Sequence, residues 1–146
     1  MIRSITAVGL GVLVALVIGL LVVFGILAPV FTTLFGMEIA TSTAVPTALL
    51  AFTAAFSFYF GGMAASYKAP SRHLLHGILV VPVAFTLASA LNLALGKGLL
   101  PGVEASSTLL LVIAFLLAST AASYVGSKRG ADIYAHNQRV ERLRRK

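Results

Sequence analysis

Between Arg3 and Lys68 the chain carries a single charged residue, Glu38, and between Arg72 and Lys128 it carries only Lys97 and Glu104. No water-facing surface can be built from stretches this bare of charge. Charged residues make up 10% of the whole chain, against the roughly 25% of an ordinary soluble domain. Disordered chains are poor in apolar residues, and this one is 59% hydrophobic. With no cysteine there is neither a disulfide framework nor a thiolate metal site. The remaining class is an integral membrane protein.

A hydrocarbon core about 30 Å thick takes about 20 helical residues to cross. Four stretches free of Lys, Arg, Asp and Glu fit that length, at 5–29, 47–66, 74–95 and 107–125. None alternates polar with apolar residues as a barrel strand does. The spacing therefore predicts an all-α fold, a four-transmembrane-helix bundle at 1–125 with a basic tail at 126–146 read as helical. The first apolar run far exceeds the 7–15 residues of a signal h-region, which reads as an uncleaved helix. Pro82, inside the third stretch, removes one backbone hydrogen bond and predicts a kink there.

The basic residues orient the bundle. Arg3, Lys68 and Arg72 share one side with seven Lys and Arg of the tail, and Lys97 stands alone on the other. The excess of positive charge on cytoplasmic loops then puts both termini and the 67–73 joint in the cytoplasm. The expected location is the cell inner membrane.

Sliding the chain by 57 residues lays Ala64-Ala65-Ser66-Tyr67 on Ala121-Ala122-Ser123-Tyr124, as two tandem helical hairpins would. Chance among abundant Ala and Ser gives the same match. Small residues also recur at every fourth position, with Gly61 and Ala65 in the second stretch and Ala118 and Ala122 in the fourth. In lipid, such rows let helix backbones approach closely. They are read either as packing within one bundle or as a homo-oligomer contact.

Little here can do chemistry. The carboxylates Glu38, Glu104, Asp132 and Glu141 all lie in joints or tail, whereas proton relay and ion coupling use ionisable groups inside the bundle. A small multidrug exporter needs a glutamate in its first helix, and none is present. There is no His-Glu-x-x-His, Gly-x-Ser-x-Gly or Walker loop. The expectation is therefore a protein that is not an enzyme, with no catalytic residue, cofactor or metal. His76, one turn inside the third stretch, is read as an anion or pH sensor or as a histidine bonded to headgroups or a backbone carbonyl. Asn92 is read as a pore-lining group or an interhelical hydrogen-bond partner. In the tail, Arg139, Arg142, Arg144, Arg145 and Lys146 are expected to meet anionic lipid headgroups. No groove-reading motif accompanies them, so nucleic acid is not an expected partner.

Phe60-Gly61-Gly62-Met63-Ala64-Ala65, a short basic joint and then Leu75-His76-Gly77 form a pattern. It resembles one found in uncharacterised small prokaryotic four-helix integral membrane proteins. The resemblance implies a four-helix membrane protein and no activity. The leading functional expectation is a structural or accessory membrane subunit, working through helix packing and the basic tail. The alternative is a small channel or carrier for an uncharged or anionic solute.

Overall fold

A computed structural model describes residues 2–34, 44–97 and 106–145, and among these every regular element is helical. In chain order they are α1 (Ile2–Val22), a π-helical turn (Val23–Leu27), α2 (Ala28–Leu34), α3 (Ala44–Lys68), α4 (His73–Ile78), α5 (Val80–Ala94) and α6 (Ser106–Arg144). Two runs, Ile2–Val30 and His73–Ala94, are long and apolar enough to cross a membrane. Glu38, Glu104 and Lys146 lie outside the described residues.

Both proline irregularities have a local cause. Pro29 has no N–H to offer the Gly25 carbonyl, and its ring would clash with that carbonyl in an unbroken α-helix. The helix instead widens by one residue in the turn before it, where the Ala28 N–H bonds the Val23 carbonyl, and then resumes. Pro82 acts in the same way on Ile78. The predicted kink appears as a helix break at Leu79, with α4 ending at Ile78 and α5 starting at Val80. Continuity survives through Leu79, whose N–H bonds Leu75 O at 3.1 Å and whose carbonyl accepts the Val83 N–H at 3.1 Å.

α3 is the central helix, with α1 on one side and α6 on the other. Its Gly61-Gly62 pair serves both. A Cβ on Gly61 would lie 2.6 Å from Gly11 O, while one on Gly62 would strike the Ser123 backbone of α6. On the α1 side, Gly11 meets Gly61 and Ala65, Gly61 meets Ala15, and Gly19 meets Ser57, so the two helices are antiparallel. On the α6 side, Tyr59 meets Gly126 and Met63 meets Gly130, a parallel pairing in which both numbers rise together. Helices that pack backbone to backbone gain dispersion contacts without large side chains between them.

The interior is accordingly small. Its buried hydrophobic residues are Ala7, Val8, Ala15, Ala65, Ala69, Val80 and Val81, joined by Thr53, Ser57, Ser66, His76, Ser119, Ser123 and Ser127. Leucine and phenylalanine face outward instead, with Phe24 at 68%, Phe52 at 67%, Leu91 at 60% and Leu117 at 67% exposure.

The fourth stretch departs from its expected facing. Gly61 and Ala65 are buried against α1, but Ala118 is exposed and Ala122 only half-buried. The buried row of α6 is shifted by one residue, to Ser119, Ser123 and Ser127 with Gly126 and Gly130. One residue is a rotation of about 100° on a helix, enough to exchange a packed face for an outer one. Positions matched by the 57-residue offset, Gly61 with Ala118 and Ala65 with Ala122, thus sit in different surroundings. α6 continues unbroken from the fourth stretch into the tail for 39 residues, about 58 Å.

Candidate functional site

The functional geometry concentrates where α3, α4 and α6 meet, at the end that carries the basic residues. Ser66 ends the packed face of α3, and its Oγ donates to the Ser127 carbonyl at 2.7 Å. Ser127 Oγ donates in turn to Ser123 O at 2.6 Å, and Ser123 Oγ to Gly77 O at 2.8 Å. These three buried serines join three helices through backbone carbonyls. Gly77 leaves the room for this, because a Cβ there would overlap the Ser127 hydroxyl. The hydroxyl protons are thereby committed to structure, which suits anchoring and not nucleophilic attack.

The joint between α3 and α4 is equally constrained. Arg72 caps α4 in a left-handed conformation (φ 48°, ψ 49°), and its carbonyl accepts the N–H groups of Leu75 and His76. His73 Nδ1 lies 2.7 Å from Ser66 O, and His76 Nδ1 lies 3.1 Å from Arg72 O. A carbonyl only accepts, so each Nδ1 carries the proton in this arrangement. His76 is buried. Asn92 is half-buried near the far end of α5, and its backbone carbonyl accepts the Lys97 N–H at 2.9 Å. Sixteen residues separate it from His76, about 24 Å along a helix, and the two do not converge.

Beyond the serine cluster an aromatic group marks the same end. The Tyr134 ring packs on His73 with centroids 4.7 Å apart and edge-on to Tyr67 at 6.2 Å. Asn137 Nδ2 donates to Tyr67 Oη at 3.2 Å, and Gln138 Nε2 to Tyr134 Oη at 3.3 Å. Lys128 Nζ stands 5.6 Å from the Tyr124 ring centroid, a cation–π contact on the outer face of α6. Arg139, Arg142, Arg144 and Arg145 are all exposed along the last turns of α6. Among the described residues no group of three or more His, Cys, Asp or Glu could hold a metal ion.

The serine links have a measurable weight. Ser123→Ala removes one interhelical hydrogen bond and leaves the Gly77 carbonyl without that donor. Such bonds average about 0.6 kcal/mol inside membranes and reach about 1.7. A stability loss in that range is expected from detergent unfolding followed by circular dichroism. Thr86→Ala is the control, since Thr86 bonds only within its own helix at Pro82 O and is exposed.

Comparison with protein families, curated proteins and solved structures finds no match to this chain.

Proposed function

We propose that this chain is a four-helix integral protein of the cell inner membrane, acting as a structural or accessory subunit through its packed helices and basic tail. The observation that carries the reading is the inverted distribution of side-chain size. Water drives Leu, Ile and Phe inward, and a soluble fold does not leave so many of them on its surface. Here alanine, glycine and serine are inside while Leu13, Leu16, Leu20, Phe24, Leu87 and Leu117 face out. Lipid tails solvate such an exterior and leave close backbone packing to hold the helices together. Under this reading both termini and the 67–73 joint are cytoplasmic.

A long helix that begins in the bundle and ends in exposed arginines is a rigid arm suited to anionic headgroups or to a larger membrane complex. The attraction is strongest near the membrane surface and weakens with salt. The channel or carrier alternative draws no support from His76 and Asn92, which lie far apart, nor from the serines, which are turned onto backbone carbonyls.

The deciding experiment is native electrophoresis of membranes dissolved in mild detergent, with the chain at its natural level. Migration in a species of fixed stoichiometry, heavier than any oligomer of the purified chain, is expected. Migration as the purified chain alone, together with solute flux through liposomes containing only that chain, would replace the subunit reading with the channel.

A further inference from the structure

A cleft of about 610 Å³ opens at the polar end between the start of α1, the α3–α4 joint and the extension of α6. Its size falls within the roughly 300–1,000 Å³ of small-molecule sites. Two helices line it with matching faces. α1 supplies Arg3, Thr6, Ala7 and Leu10, and α6 supplies Tyr134, Asn137, Gln138 and Glu141, each at i, i+3, i+4, i+7. That spacing lays one continuous stripe along one side of a helix. Tyr67, Lys68, Ala69 and Pro70 of the joint complete the walls.

We propose that this cleft binds the phosphodiester of an anionic membrane phospholipid, one whose headgroup carries no cation of its own. Arg3 and Lys68 against Glu141 leave one net positive charge, matching one phosphodiester. The hydrogen bonds in the walls favour an acceptor. Tyr67 and Tyr134 each accept from a side-chain amide, Asn137 and Gln138 respectively, so each phenol keeps its own O–H proton to donate. A phosphodiester's non-bridging oxygens only accept, and they suit a guanidinium and an ammonium together. The source is set by the gradient along α1. From Arg3 to Leu10 the wall climbs about 10 Å, from a cation to an exposed leucine, the order of headgroup and acyl chain. A free phosphate ester would have no use for the apolar end. This site is separate from the arginines at the end of α6, of which none lines the cleft.

The inference rests on membrane insertion, and its test keeps the two apart. The purified full chain in neutral detergent is titrated with short-chain phosphatidylglycerol, short-chain phosphatidylcholine or glycerophosphoglycerol, the same diester without acyl chains, and helix melting is followed by circular dichroism. Phosphatidylglycerol is expected to raise the melting temperature in a saturable way, with the other two giving little. Arg3→Gln with Lys68→Gln is expected to weaken the apparent affinity about 30-fold, from about a fivefold loss per basic group. Lys97→Gln, exposed past the far end of α5 and outside the cleft, is expected to leave it unchanged. Should the first pair unfold the chain, Asn137→Ala with Gln138→Ala, exposed or half-exposed on α6, serves in its place. An equal response to glycerophosphoglycerol overturns the lipid source, and an equal response to phosphatidylcholine overturns recognition of net charge. An affinity that Arg142→Gln with Arg144→Gln reduces, and that the Arg3 and Lys68 changes leave intact, overturns the cleft. Alkaline carbonate extraction of cell membranes runs in parallel. Retention in the pellet with no phosphatidylglycerol response sinks the cleft alone, while release into the supernatant sinks insertion itself.

Discussion

Alanine at Gly126 is expected to destabilise the bundle by about 3 kcal/mol, whereas leucine at Ala118, two turns earlier on the same helix, is expected to cost almost nothing. Gly126 faces α3 at backbone distance, and a Cβ there would meet the Tyr59 carbonyl carbon at 2.8 Å and its Cα at 3.1 Å. Neither atom is the tip of a flexible side chain. The added methyl can be accommodated only by moving α3 and α6 apart, which also loosens the contacts at Gly62 and Gly130 along the same seam. Overpacking of a close-packed interior costs about 1–3 kcal/mol, and a backbone-to-backbone seam belongs at the upper end. Ala118 is exposed, so a longer apolar side chain there enters the surrounding lipid or detergent. Gly9, with nothing within 4 Å of an added Cβ, is a second neutral control. Unfolding of each variant in mixed micelles, read by circular dichroism, gives the comparison. A tolerant Gly126 together with a damaging Ala118→Leu would falsify the facing of α6 described above.

The same helix shows what the sequence revealed and what it concealed. Apolar runs without charge are a local signal, and so are the prolines. The helical stretches and the break beside Pro82 are therefore legible in the sequence. The facing of α6 is not. Alanine and serine rows of identical spacing run side by side at Ala118 and Ala122 and at Ser119 and Ser123. A hydropathy argument prefers alanine for an interior. In this interior that preference fails, because a serine that finds a carbonyl packs as closely as alanine and adds a hydrogen bond. The run of Ser119, Ser123, Ser127 beside Gly126 and Gly130 was the overlooked signal. The cleft was beyond sequence reasoning for a different reason. Arg3, Tyr67 and Tyr134 are each more than sixty residues from the next, and no periodicity within one helix predicts their meeting. His76 and Asn92 drew attention as rare polar residues, yet rarity does not say whether a side chain faces a ligand or its own backbone.

Orientation is the remaining large effect, and fusions are expected to read it without ambiguity. Reporters joined after Lys146 or within 67–73 should give a cytoplasmic signal, and reporters within 96–106 the opposite one. The charge difference behind this is steep, since the proposed topology puts ten of the 11 Lys and Arg on one side and Lys97 on the other. Charges close to helix ends orient a membrane protein, while those far along a tail count less. Arg3, Lys68, Arg72, Lys128 and Arg129 all flank the proposed spans, so a chain lacking 140–146 should keep the orientation of the full protein. Changing those five to Gln while adding Lys beside Lys97 should erode it and yield mixed signals from the same fusion sites. The connectivity of α3 and α6 adds a constraint independent of charge. These helices are packed in parallel along the Tyr59–Gly126 and Met63–Gly130 contacts, so their polar ends must emerge on the same side. A fusion within 67–73 and a fusion after 146 must therefore agree with each other whatever the charge rule dictates. Disagreement between them would break the α3–α6 seam and the cleft that depends on it, and agreement on the periplasmic side would leave the seam intact while reversing the orientation.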